Sequence, residues 1–106
     1  MIIKEWNEDD QPREKLFSKG SLALSDAELL AIVIGSGNKE DSALSISRRI
    51  LSETNHNLGV LSKYNVQHLI KFRGIGKAKA ILIIAALELG RRGRVSKNME
   101  KAQLCS

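Results

Sequence analysis

The 106-residue sequence is poor in the residue types from which many functional sites are built. Its one cysteine, Cys105, can neither close an internal disulfide nor contribute to a cysteine-based metal cage. The two histidines, His56 and His68, stand twelve residues apart without a partner pattern and read as surface or boundary residues, so no metal site is expected. One Trp, one Tyr and two Phe leave too little aromatic surface for a pocket that stacks a flipped base. Long apolar runs are also missing: the longest, Ala80 to Leu87, is far short of the roughly 20 residues that span a bilayer. Met1-Ile2-Ile3 is followed at once by Lys4, Glu5, Asn7 and Glu8, which is not the core of a signal peptide. The expectation is a cytoplasmic protein with no membrane partner and no small-molecule substrate. The length suits one domain and excludes most enzyme scaffolds with two lobes around a cleft. With 42% hydrophobic residues a small core is feasible.

What the chain does have is charge, unevenly spread. The net charge is +5, yet residues 1–34 carry four basic and seven acidic side chains. Residues 71–106 carry nine basic and two acidic ones, at Lys71, Arg73, Lys77, Lys79, Arg91, Arg92, Arg94, Lys97 and Lys101 against Glu88 and Glu100. A basic third of this kind fits a solvated surface with a basic tail as well as contact with nucleic acid.

Every strong segment reads as helix. Pro12 suits the first turn of a short helix ended by Gly20. Ser25-Asp26-Ala27-Glu28 has the spacing of a capping box, and the helix it opens places Leu29, Leu30, Val33 and Ile34 on one side before Gly35. Ser42 can cap a third helix in which Ala43, Ile46 and Ile50 recur, with Leu44 and Leu51 adjoining, and Asn55 to Gly59 breaks the pattern. A short helix around Val66, Leu69 and Ile70 leads into Arg73-Gly74-Ile75-Gly76, and a fifth runs from Lys77 to Leu89 and stops at Gly90. Apolar nearly all round, that last helix is expected to be enclosed by its neighbours. No period-2 run of useful length occurs, so the fold class is all-α, a compact bundle of about five helices. Helix, Gly35-Ser36-Gly37, helix is echoed by helix, Gly74-Ile75-Gly76, helix, which predicts a tandem arrangement with the first unit degenerate.

Leu69 to Ile83 resembles the helix-hairpin-helix DNA-binding motif, with Leu69, Phe72, Gly74, Ile75, Gly76, Ala80 and Ile83 in the pattern positions and Arg73 replacing the usual proline. Gly74 and Gly76 allow positive φ and close approach of a phosphate to the main chain. Ile75 should point inward, and Ala80 should let two helices pack closely. Gly76 to Lys79 opens a helix whose unpaired amides and dipole favour an anion, with Lys77 and Lys79 adding charge. The candidate phosphate-binding set is therefore Arg73, Gly74, Ile75, Gly76, Lys77, Ala78 and Lys79. Contact of this sort grips the backbone and leaves base sequence unread. Gly35, Ser36 and Gly37 read first as a chain reversal, with Ser36 and Lys39 placed to touch a second phosphate. A monovalent cation held by hairpin carbonyls accompanies the motif in some families and is the one cofactor the resemblance admits here.

Trp6 to Gly20 and Leu24 to Gly37, followed by the hairpin and Ala86-Leu87-Glu88-Leu89-Gly90-Arg91-Arg92, are similar to the N-terminal domain of the RadC family. The resemblance covers roughly residues 2–93 and implies a bacterial protein labelled for DNA repair, with a SAM/helix-hairpin-helix-like domain. In the family that domain precedes a JAMM/MPN-type domain resembling zinc metallopeptidases. The His-x-His-Pro-x-Gly block of that second domain is absent from these residues, so zinc belongs only to the missing domain and no peptidase activity is expected here. The implied organisation is a tandem helix-hairpin-helix domain over 1–93 and a basic interdomain linker or tail over 94–106, whose weak periodicity reads as a linker or a frayed helix.

Helix-hairpin-helix glycosylases are the enzymatic rival. Their lyase members place a lysine two residues before the motif's alanine, where this chain has Ala78, and they need a downstream aspartate that is missing. Asp9-Asp10, with Glu8, reads as a solvated turn. The reading is a non-enzymatic, sequence-independent DNA-binding module; the alternative is a protein-docking module that positions a JAMM/MPN-like domain.

Overall fold

A computed structural model describes residues 9–105, with side chains for residues 9–96. Met1-Ile2-Ile3, Trp6 and Glu8 lie outside the described residues, as do the side chains of Lys97, Glu100, Lys101 and Cys105. The described residues form six α-helices and one 3₁₀ turn, with no strand among them. They are α1 (Gln11–Lys19), the turn Ser21–Ala23, α2 (Asp26–Ile34), α3 (Ala43–Glu53), α4 (Leu58–Leu61), α5 (Val66–Leu69) and α6 (Lys77–Cys105).

Local chemistry accounts for most boundaries. Pro12 lies in the first turn of α1, where no amide partner is lost, and Gly20 ends the helix at φ 87°. Ser25 and Glu28 form a complete capping box: the Ser25 hydroxyl accepts from the Glu28 amide at 3.2 Å, and the Glu28 carboxylate accepts from the Ser25 amide at 2.9 Å. Lys15 also donates to that carboxylate at 3.0 Å, tying α1 to the start of α2. The Ser25 amide first, and then Lys15, hold the Glu28 carboxyl below its ordinary value. Ser42 caps α3 by accepting from the Ser45 amide at 3.1 Å.

Packing follows the apolar faces. Leu30, Ala31 and Ile34 of α2 meet Ala43, Ile46, Ile50 and Leu51 of α3. Leu61, Leu69, Ile75, Ala80 and Ile83 close the core from the other side. Ile46, Ile50, Leu69, Ala80 and Ile83 are wholly inaccessible to solvent. A Leu or Ile side chain buried to this degree is worth about 1.5–3 kcal/mol relative to exposure.

Three features depart from the sequence-based expectation. The Asn55–Gly59 break is narrower than expected, because α4 starts inside it. Asn55 and His56 take φ of 54° and 58°, and α3 closes with the His56 amide on the Leu51 carbonyl (2.7 Å) and the Asn55 amide on the Ser52 carbonyl (3.2 Å). This is the paired-bond termination of a helix through left-handed residues, with Asn in place of the commoner Gly. Asn57 then caps α4 by accepting from the Val60 amide at 3.1 Å, which buries Leu61.

The last helix does not stop at Gly90. It continues through Gly90 and Gly93 as one 29-residue element, so residues 94–105 are helical. Neither glycine takes the positive φ of a helix-ending residue, and good helix formers surround both. Nor is α6 enclosed. Ala80 and Ile83 are buried, but Ile81, Leu82 and Leu89 are 48%, 52% and 71% exposed. The bundle is too small to wrap an apolar helix on all sides, so α6 is covered along one face only.

Candidate nucleic-acid interface

The segment between α5 and α6 is built on its buried residue. Ile75 is 4% exposed and belongs to the core, so the turn is pinned from inside. Its own amide donates to the Phe72 carbonyl at 3.0 Å and therefore cannot serve an external anion. Gly74 has φ 92°, and a Cβ there would lie 2.5 Å from Ile46 Cδ1 and 3.2 Å from Asn38 Nδ2. Its missing side chain thus serves internal packing. Gly76 differs: its φ is not positive, it is exposed, and a Cβ would meet nothing within 4 Å.

From Gly76 the chain enters α6, and the first helical bond is Ala80 N–H to the Gly76 carbonyl at 3.0 Å. Among the described residues, no hydrogen-bond acceptor is engaged by the amides of Gly76, Lys77, Ala78 or Lys79. These are the donors that any helix leaves unpaired at its start, and α6 has no side-chain cap to take them. Gly76, Lys77 and Ala78 are exposed and Lys79 is half-buried, so the start of α6 lies at the surface.

The two lysines of the segment have different positions. Lys77 makes no ion pair or hydrogen bond with its side chain among the described residues. Lys79 Nζ donates to the carbonyl of Ser36, in the other Gly-x-Gly turn. Arg73 likewise reaches across, to Glu40 at 2.9 Å, through an ion pair whose partners are 71% and 58% exposed. The two turns are therefore neighbours, held together by Lys79, Arg73 and the Gly74–Ile46 approach.

The first turn is chemically closed where the second is open. Gly35 ends α2 at φ 86°, its amide on the Ala31 carbonyl at 2.9 Å. The Gly37 amide donates to Asp9 Oδ2 at 3.0 Å, and the amide of Ala43, the first residue of α3, donates to Asp9 Oδ1 at 2.7 Å. Asp9 is therefore no solvated turn residue: its carboxylate bridges a loop amide and a helix start. A Cβ on Gly37 would collide with the Asp41 carbonyl. Asn38 Oδ1 accepts from Glu40 (2.9 Å) and Asp41 (2.8 Å), and the exposed Lys39 stands among these acids. The amides of Gly37 and Ala43 are thus already occupied by an anion of the chain itself, a partner 28 and 34 residues away that local sequence pattern does not reveal.

Further along α6, Arg91 and Arg92 both bond Glu88, at 2.9 and 2.7 Å. Arg91 foremost and then Arg92 hold the Glu88 carboxyl down to about 2, and Arg91 is raised in return. Arg94 completes the exposed basic surface among the described side chains of this helix. No group of three or more His, Cys, Asp or Glu able to hold a metal occurs among the described residues, and no described helix is long and apolar enough to cross a membrane.

These features define a small all-α domain whose distinctive surface element is an uncapped, cation-flanked helix start. Residues 3–81 match the family model described as UPF0758 N-terminal, and the chain belongs to this RadC-like family. It is 56% identical over 104 residues to a UPF0758 protein of Flavobacterium johnsoniae, an alignment covering 98% of this chain and 45% of that protein. It is 47% identical over 93 residues to a UPF0758 protein of Porphyromonas gingivalis, covering 87% and 41% respectively. A UPF0758 protein of Methanosarcina acetivorans is 43% identical over 104 residues, with 98% and 44% covered. The chain thus spans less than half the length of these curated relatives. No solved structure matches it.

Proposed function

We propose that this chain is a sequence-independent DNA-binding module that holds a backbone phosphate on the amides of Gly76 to Lys79. The observation that carries the reading is the contrast between the two turns. At the start of α3 the Ala43 and Ser45 amides are taken by Asp9 and Ser42, whereas at the start of α6 no amide is taken and Lys77 has no partner among the described residues. A helix start with open amides and a nearby cation attracts phosphate oxygens through both hydrogen bonds and dipole. The basic last third supplies the longer-range attraction to a polyanion. The resemblance to the helix-hairpin-helix pattern supports the same assignment. In this reading the site consists of the amides of Gly76, Lys77, Ala78 and Lys79, with the side chains of Lys79 and Arg73 bracing it against the first turn. The chain binds and does not catalyse.

Fluorescence anisotropy with labelled duplex at two salt concentrations tests it. The log–log salt dependence should have a slope of about −0.9 per phosphate neutralised. Gly76→Val fills the open ground before the turn, and Lys77→Glu reverses the nearest charge; each should weaken binding with helical content unchanged. Undiminished binding by both variants overturns the assignment.

A second reading, a module that docks the remainder of a longer protein such as a JAMM/MPN-like domain, draws on one observation. Leu29, Val33, Leu58, Ala86 and Leu87 line a nearly all-apolar groove of about 130 Å³ between α2, α4 and α6. Binding that is indifferent to salt and independent of DNA would favour it.

A further inference from the structure

Beside the proposed phosphate site, on the α5 side of the same turn, lies a second concavity of about 510 Å³. That size falls within the range of about 300–1,000 Å³ that accommodates small organic ligands. The rings of Tyr64, His68 and Phe72 line it together with the cationic side chains of Arg49, Lys71 and Arg73. Four aromatic residues are too few to enclose a flipped base, but Tyr64, Phe72 and His68 are gathered with three cations along one open cleft, immediately next to Gly74, where a base need only lie against a ring.

The rings are held in position. Tyr64 and Phe72 are half-buried against the core. His68 is fixed by a reciprocal cap: its amide donates to Asn65 Oδ1 at 2.9 Å, and its Nδ1 accepts from the Asn65 amide at 3.1 Å. The Tyr64 and His68 rings lie 5.1 Å apart, inclined at 47°. Of the cations, Arg49 pairs with Asp41 at 3.1 Å and Arg73 with Glu40 at 2.9 Å. The Arg73–Glu40 pair, exposed on both sides, is exchanged for another anion at little cost, whereas Asp41 is partly buried and holds Arg49 more firmly. Lys71 has no ion pair among the described residues. Glu53, the one acid in the lining, offers an acceptor of the kind that an exocyclic base amine requires.

We propose that this cleft takes an unpaired nucleobase with its adjoining phosphate, so that the module prefers DNA with single-stranded character over uninterrupted duplex. The proposal rests on the DNA reading above and specifies its substrate. Aromatic faces with cations between them bind single strands by stacking and charge, whatever the base. In a duplex the base faces are stacked on one another and cannot reach the cleft. Arg73 lines the cleft and adjoins Gly74 of the turn, so a strand held at the start of α6 runs past this side chain to the cleft.

The test compares a blunt duplex with the same duplex carrying a short oligothymidine overhang, by anisotropy at fixed salt. The wild-type chain should bind the overhang form about tenfold more tightly, the size of one base–aromatic stack. Tyr64→Leu should shrink that preference while leaving blunt-duplex affinity unchanged, Tyr64→Phe should keep it, and Lys71→Ala should weaken the overhang form more than the blunt one. A 2-aminopurine in the overhang should be quenched by the wild type and by Tyr64→Phe, and not by Tyr64→Leu. Gly76→Val should weaken both DNAs alike. Equal wild-type affinity for the two DNAs overturns the cleft proposal and leaves the phosphate site standing. Failure to bind either DNA overturns both.

Discussion

Gly74 and Gly76 lie two residues apart in the same turn, yet the structure assigns them opposite consequences on substitution. Gly74→Ala forces a side-chain-bearing residue to φ 92°, and its Cβ would press on the buried Ile46 at 2.5 Å. Left-handed backbone costs an L-residue about 1–2 kcal/mol. Overpacking a filled core adds about 1–3 kcal/mol. Together these reach about 2–5 kcal/mol, a large share of the roughly 5–15 kcal/mol that stabilises a domain. Gly76→Ala meets open space at an ordinary backbone conformation and should change stability by less than about 0.5 kcal/mol, as exposed substitutions do. Urea unfolding followed by helical circular dichroism separates the two. At about 1–3 kcal/mol per molar urea, Gly74→Ala should lower the midpoint by roughly 0.7 M or more, while Gly76→Ala stays with the wild type. Similar midpoints for the two variants would refute this division of the turn into a packing glycine and an access glycine.

Other outcomes follow from single contacts. The hydroxyl of Ser47 is buried in α3 and finds no hydrogen-bond partner among the described residues, so Ser47→Ala should be neutral or stabilising by about 1 kcal/mol in the same unfolding assay. Asp9→Asn removes the charge from two hydrogen bonds to Gly37 and Ala43 and should cost about 1–2 kcal/mol. Glu28 is held below its ordinary carboxyl value of 4.5, so its contribution is present above that pH and is lost as pH falls through the lowered value. Between pH 7 and pH 3, Glu28→Gln should therefore lose less stability than the wild type, as read from paired urea midpoints.

How much of this was legible depended on whether a residue's partner lies near it in sequence. Pro12, the Ser25–Glu28 box and the Ser42 cap act within one helical turn, and each appears where its spacing implied. The 58–61 helix was concealed because its cue, Asn57, follows two residues that look like plain loop. Asn55 and His56 terminate α3 by a backbone geometry commonly associated with glycine. Gly90 misled in the other direction: a glycine can end a helix, but the chain after it lacks any cap, and Glu88 braces Arg91 and Arg92 across it. At the candidate site, the open start of α6 was readable from Gly76 and the lysines. The commitments of Lys79 to Ser36, of Gly74 to Ile46 and of Asp9 to the first turn join residues 28 or more positions apart, and only folding brings them together.

One consequence of α6 concerns mechanics. The helix that begins at the open amides continues without a break for 29 residues, or about 43 Å at 1.5 Å per residue. It acts as a rod clamped near one end by Ala80 and Ile83. A tilt of about 10° at Ile83 sweeps the far tip, about 33 Å away, through roughly 6 Å. The start of α6, with its open amides, and the far end of the same helix are thus joined by continuous helical backbone, with no loop between them.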